Sequence, residues 1–432
     1  MSKKNCVLAV GAALLALRPG SAEAVRIDYT IDAGVEHNDN VTLVDGEPVS
    51  QNILRTGLGF LATEDTSALQ LRVEGRAEYR NYEDDLYSDG VEGELGALAN
   101  WFAIPDRLSI TAENRLELQA INPFAEDTPD NRQQVNVFSI GPNLYFMRGS
   151  TFQGQLEMRY VDSRAEETEE FNSQRIGLAA RAFKEFDESR RASVNVQSQD
   201  VDFDEDAFAR DHRRDDLFAR YEHAFNILSL SLDAGWSRVS YDDGDDHSAP
   251  LLRAGLAWRP SERSRFSLDV VEQYSDAATT FLGGVQAPGG IPASVLIGTD
   301  IITASVYEER SATAGYTYLG DVTTFGASAY ARRLDYIDAA EPDEDREGVA
   351  LDLGRTLRPT LSLGLHYSSE RITYDLVDGR FHTDRYGITL AKQWSRRWSS
   401  SLAVEHNRWE NPVLGTDVDQ TLVYLSIVYR NH

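Results

Sequence analysis

Leu69-Gln70-Leu71-Arg72-Val73-Glu74-Gly75-Arg76-Ala77-Glu78-Tyr79-Arg80 sets an apolar or small residue at every odd position and a charged or amide residue at every even one. A helix of this sequence would spread charge around its whole circumference. A strand of it has one oily face and one ionic face, because successive side chains point to opposite sides. The same rhythm sets Ile27, Tyr29, Ile31, Ala33 and Val35 against Arg26, Asp28, Thr30, Asp32 and Glu36. It recurs with Leu108, Ile110, Ala112, Leu116 and Leu118 against Arg107, Ser109, Thr111, Glu113, Arg115 and Glu117. Phe152, Leu156, Met158 and Tyr160 alternate with Gln153, Gln155, Glu157 and Arg159, and later copies fall at 228–236, 361–367 and 423–429.

About 20 such segments of roughly 9 to 14 residues can be traced, the length a tilted strand needs to cross a bilayer. Merging the weaker stretches around 302–318 or 170–186 gives about 18, still within the range of such barrels. Strands of soluble sheets are commonly about five or six residues. The pattern predicts an all-β, antiparallel transmembrane β-barrel in a bacterial outer membrane.

The connections sort by length. Short turns such as Ile104-Pro105-Asp106, Met147-Arg148-Gly149-Ser150 and Arg358-Pro359-Thr360 alternate with longer ones near 37–51, 81–89, 120–132, 161–172, 200–213, 242–249, 275–303, 333–347, 370–384 and 407–419. Outer-membrane barrels place the short turns in the periplasm and the long loops outside. Trp101, Phe146, Trp258, Trp394 and Trp398 fall near the short turns. Tyr79, Tyr82, Tyr160, Tyr241, Tyr274, Tyr336 and Tyr367 fall near the long loops, so two aromatic belts are expected at the membrane interfaces.

Lys3 and Lys4, an apolar run over 7–17 and Ala22-Glu23-Ala24 have the layout of a secretory signal peptide. The reading is a leader over 1–24 and one barrel domain over 25–432. The only cysteine, Cys6, lies in the leader, so no disulfide or cysteine metal site is expected after cleavage. Net charge is -28 for the whole chain, which excludes nucleic-acid binding through the net field. The acids concentrate in the long connections, as in Glu83-Asp84-Asp85, Glu166-Glu167, Glu169-Glu170, 202–206, 242–246 and Asp343-Glu344-Asp345. None has calcium-loop spacing, and solvated, self-repelling loops are the plainer reading. The connection 275–303 carries no charge between Asp276 and Asp300, which suits either a lumen constriction or an outer flap.

Gly34-Val35-Glu36-His37-Asn38-Asp39-Asn40-Val41 resembles the segment after the first strand in the beta-barrel porin 2 family. Ile121-Asn122-Pro123-Phe124, Asn131-Arg132-Gln133-Gln134-Val135 and Ile140-Gly141-Pro142 are similar to barrels of the exopolysaccharide, PEP-CTERM-associated group. The resemblance implies an outer-membrane barrel linked with exopolysaccharide production or export, with polysaccharide export components as partners. It brings no catalytic residues. The remaining expected partners are outer-membrane lipid, lipopolysaccharide and the barrel assembly machinery. Many such barrels end on an aromatic residue, whereas here Tyr429 stands three residues from the end.

If the apolar face meets lipid, the ionic face must line the interior. The candidate lumen residues are Arg72, Glu74, Arg76, Glu78, Arg80, Arg115, Glu117, Gln155, Glu157, Arg159, Arg214, Asp216 and Arg220. They suit a polar conduit for hydrophilic solutes or a sugar chain, and equally a salt-bridged scaffold that carries no solute. No HExxH, GxSxG, phosphate-cradling glycine loop or paired-cysteine motif is present. No enzyme activity, cofactor or metal is therefore expected. His406 beside Glu405 is the nearest hint of an outer-membrane hydrolase.

Overall fold

The computed structural model describes residues 25–431 apart from 85, 126, 206–208, 243, 284–296, 299–301, 339–340 and 377. The expected leader lies outside the described residues. The chain forms a closed barrel of 20 antiparallel strands. The first five are β1 (Arg26–Asn38), β2 (Gln51–Asp65), β3 (Leu69–Tyr82), β4 (Gly90–Ile104) and β5 (Leu108–Ala120). Next come β6 (Arg132–Phe146), β7 (Phe152–Ala165), β8 (Ser173–Asp187), β9 (Arg190–Phe203) and β10 (His212–Ala224). Then follow β11 (Leu228–Tyr241), β12 (Asp246–Ser261), β13 (Ser264–Ser275), β14 (Tyr307–Leu319) and β15 (Thr323–Tyr336). The last are β16 (Glu344–Arg358), β17 (Leu361–Tyr374), β18 (Phe381–Gln393), β19 (Trp398–Asn411) and β20 (Thr416–Arg430). Each pairs with the next, and β1 closes on β20 from Thr30 opposite Arg430 to Asn38 opposite Leu422.

The register carries the period-two pattern into two faces. Ile31, Leu58, Val196, Leu217 and Leu425 point outward and are 50–57 % exposed. Their strand neighbours Asp32, Arg55, Asn195, Asp216 and Ser426 point inward and are buried. Near the short turns the outer face carries rings in contact. Trp258, Phe266, Tyr316 and Phe325 follow one another on adjacent strands with centroids 5.1, 4.5 and 6.1 Å apart. Across the closure Tyr429 sits between Tyr29 and Trp398, at 6.3 and 5.1 Å. An arginine placed at Leu58, midway along β2, faces outward with no counter-charge. In phospholipid vesicles Leu58→Arg is expected to cost about 2–4 kcal/mol of unfolding free energy, read by denaturant titration.

Three expectations change. The strands run further than the loop boundaries read from sequence: the connection expected over 407–419 is only 412–415, and that over 242–249 only 242–245. The added residues are polar on the outer face and pair across it. Arg408 bonds Asp417 at 2.7 Å, Arg333 bonds Asp345 at 3.3 Å and Arg238 bonds Asp246 at 2.6 Å. A 14-residue strand at about 3.3 Å per residue, tilted about 40°, rises about 35 Å, against an apolar band of about 25 Å. The excess is a collar of sheet standing in water, where loss of hydrophobic alternation does not end the strand.

The second change concerns the upper tyrosines. Tyr79, Tyr160 and Tyr367 are on the outer face, whereas Tyr82, Tyr241 and Tyr336 are on the inner one and Tyr274 is buried. Third, the alternation inverts at the upper end of β6. There Val135 and Val137 face inward with no exposure while Gln134 and Asn136 face out. At Gly141 and Pro142 the β6–β7 ladder is interrupted without a change of register, and a Cβ on Gly141 would collide with the Met158 carbonyl oxygen. Pro142 beside it has no N–H to give the ladder, so both residues suit the interruption.

Candidate functional site: the charged lumen and two inward folds

The inner faces of β1 to β6 carry one continuous chain of charge. Glu78 is fully buried and accepts from three guanidiniums: Arg55 at 2.9 Å, Arg76 at 3.0 Å and Arg80 at 2.9 Å. Arg55 continues to Glu36 at 2.5 Å and lies over the Tyr424 ring at 4.2 Å. Arg76 continues to Asp32 at 2.7 Å, spanning β2 to reach β1. Arg80 meets Glu92 at 3.1 Å, Glu92 meets Arg132 at 3.0 Å, and Arg132 meets Asp127 at 3.1 Å. Each of these carboxylates thus lies within 3.1 Å of a guanidinium, which is what permits ionised groups at such burial.

The register places all thirteen candidate residues on the inner face. Outside the cluster just described, Arg72 pairs with Glu74 at 2.7 Å, and Arg115 with Glu117. Glu157 lies between Arg181 at 2.6 Å and Arg159 at 3.4 Å, and Gln155 reaches Asn143 at 3.4 Å. Arg214 lies 3.5 Å from Asp216, and Arg220 bonds Asp233 at 2.6 Å. Their partners Asp32, Glu36, Arg55, Glu92, Arg132, Arg181 and Asp233 are equally part of this lining and were not singled out from sequence. For all but Arg132 the signal was there, since each sits at the inward parity of its strand; Arg132 shares the parity of Gln134 and Asn136 and reaches Glu92 from the first residue of β6.

Two connections fold into the upper lumen. The one between β5 and β6 is closed on itself by a reciprocal pair, Asn131 Nδ2 donating to the Asn122 carbonyl at 2.9 Å and the Asn122 amide to Asn131 Oδ1 at 2.8 Å. From that base Phe124 reaches across the barrel. Its ring meets Tyr374 of β17 edge-on at 4.8 Å and Phe381 of β18 at 6.1 Å, and its carbonyl accepts from Asn411 Nδ2 at 2.9 Å. The strap divides the space beneath it into cavities of about 360 and 310 Å³. Asp127, Arg385 and Trp409 border both.

The second fold follows β13, and its described part turns inward rather than outward. Helix α1 (Ala277–Gly283) lays Ala278 and Phe281 on Val135, Val137 and Val161 of the inner wall, which accounts for the inverted face of β6. Ile297 and Gly298 pair in parallel with Leu118 and Gln119 of β5. The rest of the charge-free stretch, 284–296, lies outside the described residues. Asp276 anchors the fold, with its carboxylate 2.5 Å from Arg175 and 3.8 Å from Arg214 and its oxygens capping Thr279. Thr280 and Tyr307 hydroxyls lie 2.7 Å apart.

Burial works to raise the Asp276 carboxyl, but the Arg175 and Arg214 charges and the Thr279 bonds outweigh it and hold the group well below the usual carboxylate range. A lowered folded value means the anchor is at full strength above the unfolded value of about 3.9 and is lost only as pH falls through the folded one. Amide exchange of 277–283 is therefore expected to keep its protection from pH 7 down to 5 and to lose it only in strong acid. Loss of protection near pH 6 would contradict the anchor.

Glu405 and His406, read together from sequence, point to opposite faces. Glu405 faces inward, 3.6 Å from His366 Nε2. His406 faces outward between the Thr421 hydroxyl at 3.1 Å and Asp419 at 3.5 Å. Its strand and Thr421's are continuously paired, so their amides are committed to the ladder and no oxyanion pocket forms there. Among the described residues no group of three or more His, Cys, Asp or Glu is placed to hold a metal ion.

No family model and no curated protein matches the chain. Among solved structures, it is similar to the siderophore receptor PirA from Pseudomonas aeruginosa at 11% identity and a TM-score of 0.43, covering 95% of this chain and 81% of that one. It is similar to the FrpB iron transporter (F5-1 variant) from Neisseria meningitidis at 11% identity and a TM-score of 0.46, over 94% of this chain and 82% of that one. With OccK8 (OprE) from Pseudomonas aeruginosa the identity is 11% and the TM-score 0.37, over 96% of this chain and all of the other. At these values the likeness does not speak to what passes through or binds to this barrel.

Proposed function

We propose that the protein is an outer-membrane channel for small hydrophilic solutes, narrowed at its outer mouth by two inward folds. The division of the wall carries this reading. Outward side chains such as Ile31, Leu58 and Leu425 have no polar neighbour to satisfy and suit hydrocarbon, while the inner face is charged and requires water or counter-charge. Under this reading the short turns face the periplasm, lipid and lipopolysaccharide contact the outer face, and the barrel assembly machinery inserts the chain. Discrete conductance steps in planar bilayers are expected. Silence of both the parent protein and a strap-loosened variant would sink the channel and leave the scaffold.

The scaffold reading has one observation of its own: the ion pairs of β1 to β6 and the two folds occupy much of the upper lumen. The finer reading, passage of an exopolysaccharide, is supported by the resemblance of the segments around Asn38 and Phe124. A polymer strand would need the strap to swing aside. Unchanged polysaccharide secretion in a deletion strain would count against it. We read no catalytic role, and lipid turnover abolished by His406→Ala would overturn that.

A further inference from the structure

Two inner-face side chains of the upper lumen stand apart from the ion-pair chain. Arg385 of β18 makes no hydrogen bond or ion pair among the described residues and acts on Glu405 and His366 only through space. It is partly exposed and borders both cavities under the strap. The carboxylates that border the two cavities are engaged elsewhere: Glu36 by Arg55, Asp127 by Arg132, Glu370 by the Tyr330 hydroxyl, Glu410 by Arg408, and Glu405 lies beside His366. In an upper lumen where Arg55, Arg80 and Arg132 are each met by acid, an unmatched guanidinium is a place for an anion from solution, and its planar fork matches the two oxygens of a carboxylate.

Trp409 is the second. Residues 383 and 409 are directly opposed across β18 and β19, as are 385 and 407, so Arg385 and Trp409 are diagonal neighbours on one face. Such neighbours lie about 7–8 Å apart, within reach of long side chains. The indole is partly exposed and turned into the same two cavities. A flat, weakly polar surface beside a cation binds a ring bearing a carboxylate. The rest of the lining decides what kind of ring. Asn38, Thr389 and Gln420 border one cavity, and Ser368, Ser369 and Thr383 the other. Hydroxyls and amides at that density pair with hydroxyls on a solute and would be left unmatched by an aromatic acid. A cavity of about 360 Å³ accommodates one pyranose ring.

We propose that Arg385 and Trp409 form a station for a sugar acid, a hexuronate whose carboxylate meets the guanidinium and whose ring lies on the indole. This deepens the channel reading and names its solute class. Calorimetry on the detergent-solubilised full-length protein tests it without any need for conduction, while bilayer recordings judge the channel separately. The probes are D-glucuronate, D-glucose, which lacks the carboxylate, and acetate, which lacks the ring. Glucuronate is expected to bind at least about ten-fold more tightly than either, the value of one good charged contact. Arg385→Gln should erase its advantage over glucose, and Trp409→Leu its advantage over acetate, with heat-modifiable migration confirming that both variants fold. Equal binding of acetate and glucuronate, equal binding of glucose and glucuronate, or an unaltered preference in Arg385→Gln overturns the station, whatever the bilayer recordings show.

Discussion

Phe124→Gly is expected to raise the time-averaged conductance of the protein in planar bilayers. The substitution removes both ring contacts that pin the strap to β17 and β18, and it frees the chain that presents a carbonyl to Asn411. Two ring contacts and one hydrogen bond are together worth about 2–3 kcal/mol, a shift of roughly 30- to 150-fold between latched and unlatched populations. The reciprocal Asn122–Asn131 pair at the base is untouched, so the strap stays folded while its tip is released. Phe124→Leu keeps an apolar contact and should give a smaller rise. Identical conductance in all three proteins would mean that the strap does not limit flow.

Glu78→Ala should be among the most damaging single changes in the wall. It withdraws the one carboxylate shared by Arg55, Arg76 and Arg80 and leaves three buried guanidiniums with fewer partners. Breaking a buried pair by removing one member costs about 3–5 kcal/mol, because the remaining charge has lost its compensation. The midpoint of urea unfolding, followed by the mobility difference between boiled and unboiled protein, should fall accordingly. Glu74→Ala is the control: Glu74 is half-exposed and faces only Arg72, so its loss should cost less than about 1 kcal/mol. Equal losses from the two would mean that the network around Glu78 contributes no more than a surface pair.

The strand pattern was legible because both faces of a membrane barrel are strongly marked in its middle: Leu58 or Val196 cannot be confused with Arg55 or Asn195. It faded where the solvent changed. Above the apolar band Arg408, Asp417 and Arg333 stand on the outer face of regular strands, and the same residue types in sequence look like loop. Inside that upper region α1 covers Val135 and Val137, so apolar side chains point inward, opposite to the rule that holds below. The lumen residues near 69–80 were readable from alternation alone. Arg385 and Trp409 were not, since their significance lies in what surrounds them: a guanidinium without an acid beside it and an indole on the inner face. Nor does sequence show that Phe124 would lie against Tyr374, some 250 positions along the chain.

The collar also separates two mechanical environments. Tyr374, Phe381 and Asn411, which receive the strap, end or begin their strands at the upper rim, and Asp276 lies just past the end of β13. Every contact that holds either fold is therefore made in the aqueous part of the cylinder. Swinging them aside alters no residue seated among acyl chains, because the apolar surface it uncovers, Val135, Val137 and Val161 under α1 and the Tyr374 and Phe381 rings under Phe124, belongs to the lumen. Opening should consequently be indifferent to bilayer thickness, and short- and long-chain lipids should return the same open probability.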